Sequence, residues 1–202
     1  RQRQMCIRDR SMYTPSGGMG ARSLTALNTL NTTTNTVAAG LTASAIAIDN
    51  TGNYAYVANK GDGTVSMYKI CQLTRLANAS PCTAGTLSSL GTVLVGGASN
   101  SAPDRITADR GSVYVVSSQT GNVYQYTIGV DGTLTEAGYA TPGTGTVGVL
   151  AVPTLSSGTT SNYLYAINSS NLMYSGLLSS PLSTVTSVTT GKTTGVAFGM
   201  FR

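Results

Sequence analysis

The chain has 202 residues, of which 41% are hydrophobic and only 9% charged, with 24 glycines and neither tryptophan nor histidine. That balance is too apolar for disorder, and the abundance of β-branched and turn residues excludes a helical bundle. No apolar run approaches the ~20 residues of a membrane-spanning helix, and +3 of the +5 net charge comes from Arg1, Arg3, Arg8 and Arg10 against Asp9, leaving no basic stripe for nucleic acid.

The first ten residues stand apart. Met5-Cys6-Ile7-Arg8-Asp9-Arg10 resembles the translated end of a sequencing adapter and differs in composition from the arginine-poor chain that follows. The native alternative, the n-region of a signal peptide, fails because no apolar h-region follows. Residues 1–10 are therefore expected to be a non-native leader. The true N-terminus would then be missing, and the lack of a signal peptide would carry no information.

Beyond the leader the chain repeats itself. Residues 11–42, around Tyr13, read as the remnant of a β unit. An apolar strand follows, Ala45-Ile46-Ala47-Ile48-Asp49, then the turn Asn50-Thr51-Gly52-Asn53, whose Gly and Asn accept positive φ at little cost. Next come Tyr54-Ala55-Tyr56-Val57-Ala58-Asn59, a Gly-Asp-Gly turn, and Thr64-Val65-Ser66-Met67-Tyr68-Lys69-Ile70. A segment bracketed by Cys71 and Cys82 leads to Gly85-Thr86-Leu87-Ser88, the opening of a fourth strand.

The order returns as Arg105-Ile106-Thr107-Ala108-Asp109, Val113-Tyr114-Val115-Val116-Ser117, Asn122-Val123-Tyr124-Gln125-Tyr126-Thr127-Ile128 and Gly132-Thr133-Leu134-Thr135. It returns once more, loosely, as residues 147–152, Tyr163-Leu164-Tyr165-Ala166-Ile167-Asn168, Asn171-Leu172-Met173-Tyr174 and Pro181-Leu182-Ser183. In the two strong copies Tyr56 and Tyr68, and likewise Tyr114 and Tyr126, are 12 residues apart. Period-two alternation in the third strand predicts that it is half-buried.

Tyr13, Tyr56, Tyr114 and Tyr165 are separated by 43, 58 and 51 residues. Self-similarity at a period of about 20–50 residues means stacked supersecondary units, each unable to bury its apolar face alone. The longest interval is the one holding the insertion from Cys71 to Cys82. A sandwich would not repeat its sequence unit by unit. The expected fold is all-β: a β-propeller segment of about three four-stranded antiparallel blades at 43–97, 104–146 and 147–190. Partial blades are expected at 11–42 and 194–202, all within one unit over 11–202.

Tyr56-Val57-Ala58-Asn59, Gly63-Thr64-Val65-Ser66-Met67-Tyr68, and Tyr126-Thr127-Ile128 followed by Asp131-Gly132-Thr133-Leu134-Thr135 resemble the repeats of lactonase-type seven-bladed propellers. They equally resemble the YVTN-type repeats of bacterial surface and periplasmic proteins. The resemblance covers most of residues 11–202 and departs in the third copy, where Asn171-Leu172-Met173-Tyr174 is two residues short and lacks the closing tyrosine. It implies a closed ring of seven blades, of which this chain would be a fragment. For the lactonase-type members it implies hydrolysis of sugar lactones at a site on the ring axis.

The chain itself offers no catalytic constellation, and its catalytic residues are unknown. Without histidine, a Ser-His-Asp triad, a histidine base or a His-ligated metal cannot be built. Asp49-Asn50-Thr51-Gly52-Asn53 lacks the alternating acidic ligands of a calcium loop and reads as a hairpin turn. Gly17-Gly18-Met19-Gly20 has no strand-to-helix context for a phosphate loop. No cofactor and no metal are expected. Tyr56, Tyr114 and Tyr165 are expected to pack between neighbouring blades, with a ligand-stacking role as the alternative. Cys71 and Cys82 are expected to form a disulfide, which would place the protein in an oxidising compartment, with free thiols as the alternative; zinc lacks further ligands.

In a propeller the loops between second and third strands, and those entering the next innermost strand, gather on one face around the axis. Here they carry Asn59, Lys60, Asp62, Asn100, Asp104, Arg105 and Gln119. Arg presents a rigid donor fork for carboxylates, phosphates or sugar oxygens, although an exposed Asp-Arg pair can equally be idle. Asn59, Lys60, Asp104, Arg105 and Gln119 are the candidate ligand-binding residues, for a small molecule or a protein at the axial face. The expected function is an extracytoplasmic binding or scaffold propeller, periplasmic or secreted. The alternative is a 6-phosphogluconolactonase-like hydrolase whose catalytic residues lie on blades absent from this chain.

Overall fold

The computed structural model describes residues 11–14, 19–23, 35–72, 82, 85–109, 111–142, 146–156, 159–168, 172–177 and 186–189. The leader at 1–10 and the further blade start at 194–202 lie outside these residues. A first sheet is formed by β1 (Ser11–Thr14), β2 (Met19–Ser23) and β3 (Asn35–Val37). The second holds β4 (Ala43–Ile48), β5 (Tyr54–Asn59), β6 (Thr64–Ile70) and β7 (Leu87–Leu94). The third holds β8 (Pro103–Asp109), β9 (Ser112–Ser117), β10 (Val123–Ile128) and β11 (Leu134–Ala140). The fourth holds β12 (Thr146–Ser156), β13 (Thr159–Asn168), β14 (Leu172–Leu177) and β15 (Thr186–Thr189).

Each sheet is an antiparallel meander in chain order, and the first strands of successive four-stranded sheets, β4, β8 and β12, contact one another in turn. The chain is a propeller-like all-β segment. Its turns follow from local chemistry. Between β4 and β5 the Asp49 carboxylate accepts the N–H groups of Thr51 (3.2 Å) and Tyr54 (2.8 Å), and Gly52 takes φ +75°. That is a side-chain-closed hairpin turn, the outcome the sequence favours over a cation loop.

The core lies between sheets, and strand periodicity decides who shares it. In β9, Val113 and Val115 face the second sheet with Tyr56, Val65, Met67 and Tyr126, while Tyr114 and Val116 face the fourth with Ala166. In β5, Tyr56 faces the third sheet, whereas Ala55 and Val57 turn to the first with Tyr68 and Ile70. The expectation of half-buried third strands is corrected here. Ser66 and Gln125, polar by the alternation, are only 4% and 5% exposed, because a neighbouring sheet covers each face of β6 and β10.

Tyrosine hydroxyls tie the joints. Tyr56 Oη donates forward to the Gly132 carbonyl at 3.1 Å, and Tyr54 Oη to Val130 at 2.9 Å. Tyr68 and Tyr126 donate backward, to the carbonyls of Ala38 (2.6 Å) and Leu94 (3.3 Å) in the preceding sheet. A buried phenol needs such a partner, and burying its ring is worth about 1.5–3 kcal/mol. Cys71 and Cys82 are joined by a disulfide with Cα atoms 6.1 Å apart, at the β6–β7 connection.

Two outcomes follow for urea unfolding. Tyr56→Ala should cost about 3–5 kcal/mol, as for large buried aromatics, and Tyr56→Phe about 1 kcal/mol for the orphaned carbonyl. Serine at Cys71 and Cys82 should cost about 3 kcal/mol, the loop-closure value for a short loop. Losses well under 1 kcal/mol in the two larger cases would contradict this packing.

Candidate axial ion-pair site

Each inner strand begins with the same irregularity. The register of β4 on β5 slips between Ala43 and Ala45, that of β8 on β9 between Pro103 and Arg105, and that of β12 on β13 between Thr146 and Gly148. Ser44, Asp104 and Val147 are the extra residues, so each occupies a β-bulge, a device that re-aims side chains at sheet ends. Two residues before the first two bulges the backbone turns left-handed without glycine, at Thr42 (φ 53°) and Ala102 (φ 49°).

The strained corners are held by the next turn. Lys60 donates its N–H to the Thr42 carbonyl at 3.0 Å, and Ser118 donates its N–H to Ala102 at 3.0 Å. Ser44 Oγ donates to the Pro103 carbonyl of the third sheet at 2.9 Å. Gly63 (φ +68°) lies so close to the Ser99 carbonyl that a Cβ there would collide with it. Each β5–β6 or β9–β10 turn is thus packed onto a chain segment entering an inner strand.

That packing brings charges from two sheets together. Lys60 Nζ lies 3.3 Å from Asp104 Oδ1, and Arg105 Nη1 lies 3.0 Å from Asp104 Oδ2. Arg105 Nη1 also donates to the Asp104 carbonyl at 2.9 Å. The side chains of Lys60 and Arg105 remain 43% and 48% exposed, so both cations can still meet solute. Two cations on one carboxylate leave the cluster at +1. Chemically it can attract an anion and donate hydrogen bonds to it.

The other candidates fall elsewhere. Asn59 is fully buried; its Oδ1 accepts the Gly40 N–H at 3.1 Å, and its Nδ2 donates to Thr64 (3.0 Å) and Ser66 (2.8 Å). It shapes the turn that carries Lys60. Gln119 is exposed at the tip of the β9–β10 turn and takes no part in the ion-pair chain. Asp62 Oδ2 accepts the Leu41 N–H. Thr42, Ser44 and Ala102 are contributors that composition did not flag. Their signal was the matching offset of Ala43-Ser44-Ala45, Pro103-Asp104-Arg105 and Thr146-Val147-Gly148 before the three inner strands. Among the described residues no group of three or more His, Cys, Asp or Glu gathers to hold a metal, and no helix is long and apolar enough to cross a membrane.

No protein-family model and no curated protein matches the chain. Solved structures do. A Bacteroides uniformis protein provisionally named a 6-phosphogluconolactonase aligns at TM-score 0.68 and 16% identity, over 94% of this chain and 57% of its own. A Bacteroides fragilis protein with the same provisional name aligns at 0.63 and 16%, over 95% and 58%. Hydrazine synthase of Kuenenia stuttgartiensis aligns at 0.53 and 13%, over 93% and 53%. The likeness is one of fold. The chain spans little more than half of each neighbour, and one arrangement serves proteins of different names, as fold-level likeness allows.

The ion pairs are not what holds the sheets together. Exposed pairs contribute about 0–1 kcal/mol, so Asp104→Ala should lower the free energy of urea unfolding by no more than that. A loss as large as that expected for Tyr56→Ala would make the cluster structural.

Proposed function

We propose that this chain is part of a lactonase-like or YVTN-repeat β-propeller acting outside the cytoplasm as a binding or scaffold protein. In this reading the domain is one propeller over 11–202, and its axial mouth, at Lys60, Asp104 and Arg105, takes an anionic solute or an acidic patch on a protein. Asn59 sets the Lys60 turn, and Gln119, exposed on the β9–β10 turn outside the ion pairs, is a further polar group for a larger ligand. The observation that carries the reading is the convergence of Lys60 and Arg105, from adjacent sheets, on Asp104 at the start of an inner strand. In a chain with 12 lysines and arginines, two meeting in this way is an uneven use of scarce charge. The Cys71–Cys82 bridge supports an oxidising compartment, periplasmic or extracellular.

A second reading is favoured by the names of the two Bacteroides neighbours: a sugar-lactone hydrolase whose catalytic groups lie beyond this chain. The absence of histidine excludes a histidine base from these 202 residues. Carboxylates and histidines on matching loops of the surrounding gene product, with turnover of 6-phosphogluconolactone, would favour the hydrolase.

Binding is tested by titrating inorganic phosphate and gluconate at low salt, followed by calorimetry or amide chemical shifts. Arg105→Ala should weaken binding more than Lys60→Ala, because its fork makes two directed bonds. Binding should also fall as salt rises, the pair being half exposed. Unchanged binding in Arg105→Ala, or none of either anion to the parent chain, would overturn the anion-site reading.

A further inference from the structure

Successive sheets repeat their contacts, so a position that breaks the repeat is informative. Three positions do, and all face the joint between the third sheet and the fourth. Tyr56 sends its hydroxyl across the preceding joint to Gly132, whereas the matching Tyr114 hydroxyl accepts Gln125 Nε2 at 3.5 Å, within its own sheet. Met67, opposite Tyr56 in register, accepts the Leu134 N–H from the third sheet at 3.3 Å. Gln125, opposite Tyr114, occupies the same place one sheet later. It is 5% exposed, and its Oε1 has no hydrogen-bond partner. Tyr68 and Tyr126 reach back to the carbonyls of the sheet before, but the register Leu164↔Gly176 puts glycine at that position in β14.

We propose that the joint between the third and fourth sheets is a built-in opening seam. It separates ahead of the joint between the second and third, and opening uncovers the Gln125 carboxamide and the Tyr114 hydroxyl to hydrogen-bonding solutes. The physical reasons add up in one direction. A buried acceptor left unmade keeps its desolvation cost, and water or a donor reaching it in the open state relieves that cost. Glycine removes the ring area and hydroxyl that tie the two earlier joints. Sub-global opening occurs where local stability is least, and such openings are where solutes gain access.

Neighbouring residues of β9 give matched reporters, since Val115 faces the second sheet and Val116 the fourth, and both are fully buried. In the full chain carrying Cys6→Ser, Val116→Cys and Val115→Cys are each exposed to a thiol reagent under native conditions. The Val116→Cys thiol should react at least about tenfold faster, the equilibrium ratio for roughly one lost hydrogen bond. Restoring the repeat with Gln125→Met and Gly176→Tyr should slow it. Breaking the earlier joint with Met67→Gln should speed the Val115→Cys thiol, which separates a seam effect from fraying of the last sheet. Equal rates at the two positions, or rates indifferent to these exchanges, would overturn the proposal.

Discussion

The central strands of the second and third sheets, β5, β6, β9 and β10, have two faces to bury, and the rest of the described structure follows from that. A four-stranded sheet whose second strand reads Tyr-Ala-Tyr-Val-Ala-Asn carries apolar groups on both sides and cannot stand alone. Stacking solves this by dividing alternate residues between neighbours. In β9 the even and odd positions pack against different sheets, and none of Val113, Tyr114, Val115 or Val116 is more than 2% exposed. The hydroxyls of Tyr54, Tyr56, Tyr68 and Tyr126 then fix where one sheet sits on the next, each donating to a carbonyl across a joint.

The candidate site is a consequence of that stacking. Lys60 and Arg105 are far apart in sequence; Arg105 is held by Asp104 of its own strand, and Lys60 reaches that carboxylate from the neighbouring sheet. Once the sheets are seated, the β5–β6 turn lies against the segment entering β8, and the Thr42 and Ala102 corners aim the first residues of the inner strands. Strain at non-glycine residues persists only where surroundings over-determine it, and here backbone bonds from the adjacent turns do so. The bulge at Asp104 gives its carboxylate reach to both cations. Little stability is at stake in the ion pairs, which leaves the cluster free to serve binding.

Much of the fold was legible in the chain. The repeated Tyr-x-Tyr strands, the Gly-containing turns and the Cys-bracketed insertion gave strand order, sheet count and the bridge between Cys71 and Cys82. What was not legible depends on through-space geometry. Ser66 and Gln125 looked like solvent-facing residues because alternation cannot tell water from a second sheet. Asn59 looked available, yet burial and three hydrogen bonds commit it to the turn. The Lys60–Asp104 contact joins residues 44 apart, and no local pattern announces it.

Tyrosine ionisation tests the stacked arrangement most directly. Burial holds the phenols of Tyr56, Tyr68, Tyr114 and Tyr126 above their ordinary value of 10.0. A phenol raised in the folded state leaves stability intact below pH 10 and removes it as pH climbs beyond, since the unfolded chain ionises first. Ultraviolet titration with circular dichroism in parallel should therefore show at least four tyrosinates appearing only together with loss of the β-sheet signal. Ionisation of all 11 tyrosines with the sheet signal undiminished would contradict buried tyrosine joints and, with them, the stacking that assembles the site.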